Sequence, residues 1–228
     1  MNNQPTRDRT NEHPAQEPEK NQPQLHHLPH TGSDSRRYIR WIAKTAILTA
    51  VAVVLMYLEM VLPLMPTFLK FDFSEIAVLL GAFAMGPLTG ILIELIKNLM
   101  HVPTTITGGI GELANFVIGS AFVGTAGLVY RYRKTRSGAL LGMAAGTIAM
   151  TVVASFANYY VMIPFYVNVI PFPLDAIISA TRAVGNTLVT DLKTLIIFVF
   201  IPFNLFKGIV ISVIVALIYK RVSPLLHR

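Results

Sequence analysis

The stretch Trp41-Ile-Ala-Lys-Thr-Ala-Ile-Leu-Thr-Ala-Val-Ala-Val-Val-Leu-Met-Tyr-Leu-Glu-Met-Val-Leu62 is nearly continuously apolar and follows basic residues at Arg36, Arg37 and Arg40. At ~1.5 Å of rise per residue it is long enough to cross ~30 Å of hydrocarbon as a helix. This reading decides the class of fold, an all-α integral membrane protein. Composition points the same way: the 228 residues are 53% hydrophobic and only 14% charged, against roughly 25% charged in an ordinary globular domain. One soluble core cannot hide that much apolar surface, so lipid must solvate much of it.

Five further apolar segments follow. Pro63 and Pro66 open a loop, Pro66-Thr-Phe-Leu-Lys-Phe-Asp-Phe73, and a short second helix runs from Ile76 to Met85, where Gly86-Pro87 ends it. The third helix spans about Leu88 to Met100, the fourth Glu112 to Tyr130 and the fifth Ala139 to Met162. A long loop from Pro164 to about Thr194 then leads into the sixth, which continues to about Tyr219. Upstream, residues 1–37 are rich in Asn, Gln, Pro, Glu and His and read as a disordered polar tail before a membrane-embedded domain over 38–228. His26, His27 and His30 fall in that tail, where nothing rigid would fix a metal geometry, so no metal site is expected.

Positive charge tests the topology. With the N-terminus inside, the cytoplasmic flanks carry Arg36, Arg37, Arg40, Lys44, Arg131, Arg133, Lys134, Arg136, Lys220, Arg221 and Arg228, while the outer loops carry Lys70, Arg182 and Lys193. This asymmetry predicts six transmembrane helices with both termini cytoplasmic, in the cell (plasma) membrane. The net charge of +7 therefore reads as topology signal rather than as a nucleic-acid surface.

Several machines are excluded. The spacing Gly81-Ala-Phe-Ala-Met-Gly86 is followed by Pro-Leu rather than by the Lys and Ser or Thr of a nucleotide-cradling loop. Gly108-Gly-Ile-Gly111 lacks dinucleotide-fingerprint spacing, and no HExxH motif is present. The chain has no cysteine, hence no disulfide and no thiolate chemistry. No catalytic constellation emerges, and no cofactor is expected.

Ionisable groups inside apolar helices are costly and must face a partner or a cavity. Glu94 and Lys97 lie on one helical face beside Asn98, so they read as an intrahelical structural pair or as a functional one. Asn204-Leu-Phe-Lys207 sets an amide and an ammonium on one face with no acid nearby in sequence. Lys207 then lines a cavity, snorkels, or pairs with an acid such as Glu94. Asn158 in Ala157-Asn-Tyr-Tyr160 and Asn115 in Gly111-Glu-Leu-Ala-Asn-Phe116 sit at predicted outer helix ends. Singly, each suits a helix-to-helix hydrogen bond; together with Asn204 they favour a shared pocket. Phe68, Phe71, Phe73, Phe165 and Tyr166 in the outer loops are placed either to stack on a planar ring or to anchor at headgroups. Small residues recur at four-residue spacing in Ala46-Ile-Leu-Thr-Ala50, Gly86-Pro-Leu-Thr-Gly90 and Gly142-Met-Ala-Ala-Gly146, where another helix can approach closely.

At Phe68-Leu-Lys-Phe-Asp-Phe-Ser-Glu75, Gly86-Pro-Leu-Thr-Gly-Ile-Leu-Ile-Glu-Leu-Ile-Lys-Asn98, Thr107-Gly-Gly-Ile-Gly-Glu-Leu-Ala-Asn-Phe116, Lys134-Thr-Arg-Ser-Gly-Ala139, Ala157-Asn-Tyr-Tyr160 and Asn204-Leu-Phe-Lys-Gly208 the chain resembles the substrate-binding S components of energy-coupling factor (ECF) vitamin transporters, in their riboflavin-specific branch. The resemblance implies a non-enzymatic subunit that captures riboflavin, or FMN and analogues, from outside and delivers it inward. It also implies partners: a transmembrane coupling subunit and two ATPase subunits that hydrolyse the ATP. On this resemblance Asn158, Asn204 and Lys207 match polar ligand contacts, Leu69 sits in the ligand loop, and Ala46 and Ala50 match a docking face for the coupling subunit. Other readings remain: an S component for another vitamin, a solitary proton-coupled transporter using Glu94 and Lys97, or a membrane enzyme with Lys207 as base.

Overall fold

The computed structural model describes residues 1–2, 31–105, 108–169 and 173–226. Most of the polar tail, with His26, His27 and His30, lies outside the described residues. The first helix, α1 (Thr31–Tyr57), starts inside the stretch assigned to the tail and ends before the expected Leu62. It stops because the chain turns into a two-stranded antiparallel hairpin, β1 (Met60–Val61) and β2 (Lys70–Phe71), with Met60 opposite Phe71 and Val61 opposite Lys70. The hairpin satisfies backbone groups that a helix running into Pro63 would leave without partners. Lys70 and Glu59 close it with an ion pair.

α2 (Glu75–Met85) and α3 (Pro87–His101) are separated by Gly86 alone. Gly86 has φ of 103°, a conformation L side chains rarely adopt, and Pro87 is pre-set for the first turn of α3, so the chain reverses in one residue. α4 (Ile110–Tyr132) and α5 (Arg136–Ala157) follow, and the Thr135 side chain caps α5 by accepting from Gly138 N. α5 runs on through a π-helical turn, Asn158–Met162, into α6 (Ile163–Asn168).

The expected long loop after Pro164 is largely helical. It contains α6, α7 (Leu174–Ala183) and α8 (Leu192–Leu195), whose start is fixed by a capping box between Asp191 and Thr194. A second π-helical turn, Ile196–Phe200, leads into α9 (Ile201–Leu226). Pro164 lies within the continuous helix Arg136–Asn168, directly after the π-helical turn, where the local irregularity accommodates its missing N–H, so it does not end the element there.

Among the described residues, four helical stretches are long and apolar enough to cross a membrane: Ser35–Tyr57, Ile110–Tyr132, Arg136–Asn168 and Leu192–Tyr219. The α2–α3 pair is shorter. Apolar side chains stand outward at helical spacing, Ile47, Val51 and Val54 on α1, Ile148, Val152 and Phe156 on α5, and Ile209, Val213 and Leu217 on α9. Such stripes are stable only against lipid or another protein, so the chain is an all-α membrane protein with a small hairpin.

α4 and α5 pack most closely. A Cβ placed on Gly142 would lie 2.6 Å from the Ala126 carbonyl oxygen, and one on Gly146 would lie 2.6 Å from that of Phe122. The small-residue motif of α5 is therefore an internal contact. Ala46 and Ala50, by contrast, are exposed on α1. Trp41 Nε1 donates to Thr89 Oγ1, and Tyr130 of α4 meets both Phe83 and Tyr219. These contacts gather the start of α1, the α2–α3 turn, the end of α4 and the end of α9 at one end of the bundle, together with the basic cluster between α4 and α5. One apolar core, including Val78, Phe122, Met143 and Ile211, runs from that end up to the hairpin. A second, including Ile163, Ile177, Leu195 and Val199, lies under α7. The cavity described next opens between them.

Candidate functional site

The cavity has a volume of about 430 Å³, within the range of small-molecule sites. Its wall is built from the end of α1, the hairpin loop, the start of α2, the α3–α4 corner and parts of α5, α7 and α9. Leu69, Asn115, Asn158, Asn204 and Lys207 all line it, although they come from four different parts of the chain. Of the loop aromatics, Phe68 and Tyr166 line it as well. Phe71 is instead core, packed edge-on to Phe73 and against Phe206.

Two of the lining amides are held by their own helices. Asn158 Nδ2 donates to the Ala154 carbonyl at 2.8 Å, and Asn204 Nδ2 to that of Phe200 at 2.8 Å. Each bond fixes an amide orientation and leaves the side-chain oxygen and second N–H as what the residue offers a ligand. Asn158 opens one π-helical turn and Asn204 bonds back to Phe200, the last residue of the other, and such irregularities recur at functional sites. Asn115 Nδ2 donates to Asn98 Oδ1 at 3.0 Å, so it is tied to α3 while facing the cavity.

Lys207 is paired, and its acid is Asp72 rather than Glu94: Nζ donates to Asp72 Oδ2 at 2.9 Å. Sequence spacing gave no sign of this, because the partners lie 135 positions apart. Asp72 follows β2 and is buried; its Oδ1 accepts from the Ser74 backbone N–H at 2.9 Å and from the Ser74 hydroxyl. Burial alone would raise the Asp72 carboxyl, but the Lys207 and Lys97 ammoniums and the Ser74 hydroxyl outweigh it and hold it well below the usual carboxylate range.

Lys97 is fully buried; its Nζ donates to Ser74 Oγ at 2.6 Å and to Glu75 Oε1 at 2.8 Å and forms an ion pair with Glu94 Oε2 at 2.8 Å. The expected Glu94–Lys97 pair exists, but it is half of a set that includes an acid from α2. Asn98 then bonds the Glu94 backbone and side chain through Nδ2 at 2.8 and 2.9 Å. Buried ions persist only when compensated in this way. His101 Nδ1 lies 3.0 Å from Glu112 Oε1, joining α3 to α4 at the cavity edge.

Asp72, Glu75, His101 and Glu112 are thus cavity residues that sequence reasoning did not place in the site. The available signal was the run Asp72-Phe-Ser-Glu75, two acids directly before an apolar helix in a chain where acids are scarce. Among the described residues no group of three or more His, Cys, Asp and Glu is arranged to hold a metal. The site is a mostly apolar cavity with a few fixed donors and acceptors, suited to binding a small polar molecule.

Residues 40–219 match the family described as "ECF transporter, substrate-specific component", and the chain belongs to that family. It is a transport component and not an enzyme. Its relatives narrow the field: the chain is 33% identical over 183 residues to the riboflavin transporter RibU of Staphylococcus aureus, covering 80% of this chain and 90% of that one. It is 30% identical over 193 residues to the riboflavin transporter FmnP of Bacillus subtilis, covering 83% and 95%. A solved structure described as "Structure and mechanism of the S component of a bacterial ECF transporter" superposes with a TM-score of 0.65 at 30% identity, covering 84% of this chain and 99% of that one.

Proposed function

We propose that this chain is the riboflavin-capturing S component of an ECF-type vitamin importer. The observation that carries the reading is the 430 Å³ cavity into which Leu69, Asn115, Asn158, Asn204 and Lys207 converge, in a chain whose relatives are riboflavin transporters. A flat isoalloxazine offers carbonyl and imide edges to amide and ammonium donors, and its ribityl chain offers hydroxyls to the same fixed groups. Apolar walls from Met150, Ile163, Phe200 and Phe203 supply the surface for the ring system.

In this reading the α2–α3 hairpin completes six spans, and both termini are cytoplasmic because Arg36, Arg37, Arg40, Arg131, Arg133, Lys134 and Arg136 gather at the end opposite the cavity. The cavity then faces outside in the plasma membrane. Residues 38–228 are the binding domain and the preceding polar segment an appendage. Ala46 and Ala50, exposed on α1, form the face that docks the transmembrane coupling subunit, and two ATPase subunits supply the work.

The test is direct. Purified full-length protein should carry flavin absorbance or quench riboflavin fluorescence stoichiometrically on titration. Absence of both would end this reading, and tighter binding of a different vitamin in a competition panel would redirect it to another S component.

A further inference from the structure

A chain of contacts joins opposite walls of the cavity. It runs from Lys207 on α9 to Asp72, from Asp72 through Ser74 to Lys97, and from Lys97 through Glu94 and Asn98 to Asn115 on α4. Its ends are two of the proposed ligand contacts, and its middle is buried and has no place in the ligand reading. We infer that Asp72 is a positioning residue for the ligand site, whose carboxylate holds the Lys207 ammonium against the cavity wall in the orientation that meets the ligand; this rests on the proposed flavin-binding function.

The physical case is as follows. A lysine has a flexible four-carbon stem and three N–H donors. Among the described residues, Asp72 Oδ2 is the one acceptor hydrogen-bonded to Lys207 Nζ. Taking one donor fixes the head and leaves the other two to ligand oxygens. Asp72 can hold it because it cannot itself move: its second oxygen takes both the backbone N–H and the hydroxyl of Ser74, and Ser74 is held in turn by Lys97. Lys207 and Asp72 are only 7% and 8% exposed at their side chains, so the pair is little weakened by solvent. The other acids around the cavity are paired elsewhere, Glu75 and Glu94 with Lys97, Glu59 with Lys70, and Glu112 with His101, and Asp72 is the acid that holds Lys207. Preorganising a donor in this way raises affinity by removing the cost of ordering it on binding.

The experiment compares full-length wild type, Asp72→Asn, Asp72→Glu, Lys207→Met and the double variant Asp72→Asn with Lys207→Met, reading riboflavin Kd by fluorescence quenching and the thermal midpoint without ligand. Asp72→Asn should weaken riboflavin binding by roughly 10- to 100-fold, Asp72→Glu should recover most of the loss, and the double variant should bind no more weakly than Lys207→Met alone. Full additivity of the two single losses, or an Asp72→Asn Kd within about twofold of wild type, overturns the inference. Should Asp72→Asn fail to fold, Ser74→Ala takes its place: removing the hydroxyl that braces Asp72 should weaken binding several-fold, and an unchanged Kd overturns the inference. Wild-type protein that binds no riboflavin overturns the functional reading and this inference together, whereas the preceding outcomes overturn only the role of Asp72.

Discussion

Lys207 shows what the surroundings of one residue change. In sequence it is a lone ammonium inside an apolar helix, and its removal reads as a loss of binding with little effect on folding. Paired with Asp72 at 2.9 Å, it is half of a buried ion pair, and deleting one half strands the other. Lys207→Ala should therefore lower both riboflavin affinity and stability, the latter by about 3–5 kcal/mol. Adding Asp72→Asn to it should restore much of the melting temperature, but not the affinity, which differential scanning fluorimetry alongside flavin titration would resolve. The pair also sets an acid limit. A carboxyl held below its ordinary range contributes stability that is fully present above its unfolded value, ~3.9, and is lost as pH falls toward the folded one. The melting temperature of the wild type should thus fall more steeply than that of Asp72→Asn as pH drops below ~4, while between about pH 5 and 7 this group contributes no slope. A wild-type curve parallel to the variant's down to the lowest measurable pH would contradict the ionised pair.

At the scale of elements, the long helices were located because each reads as an apolar run, and their middles were legible in Trp41 to Leu62 or Ala139 to Met162. Their ends were not. Pro63 and Pro164 look alike in sequence, yet the first lies in a hairpin loop and the second inside the continuous helix Arg136–Asn168. The difference lies in tertiary pairing of Met60–Val61 with Lys70–Phe71, which no local window contains. The stretch Leu174 to Arg182, inside the expected loop, is part of α7, with Ile177, Ile178 and Thr181 buried and Ile177 lining the cavity. The α4–α5 contact carries a prediction of its own. Gly146→Val puts branched carbons where a Cβ already lies 2.6 Å from the Phe122 carbonyl, so the two helices must separate. That overpacking should cost ~1–3 kcal/mol and weaken riboflavin binding as well, because Asn115 and Asn158 stand on the two helices being parted. Unchanged melting and Kd in this variant would show that the helices do not pack so closely.

At the scale of the molecule, the chain divides into a cavity end and a basic, aromatic end, with α1 presenting an unburied face alongside. Ala46→Trp and Ala50→Trp place large rings on that face without touching the cavity wall. They should leave riboflavin Kd within about twofold of wild type while abolishing flavin uptake by the reconstituted transporter, since close helix approach depends on small side chains. Lost flavin binding would mean the face serves the fold rather than a partner. The sequence by itself determined that the chain is a membrane protein, where the middles of its long apolar helices run, and which amides and lysine stand out against an apolar background, because hydrocarbon length and charge act locally and leave local traces. It also carried the resemblance to the ECF S components, spread over short motifs in fixed order. Only the tertiary structure decided that Leu69, Asn115, Asn158, Asn204 and Lys207 share one chamber, that Lys207 answers to Asp72, and that Lys97 bridges α2 and α3. A buried charge is compensated by whatever opposite charge folding brings within about 3 Å, and that choice is made in space, across 135 residues of chain.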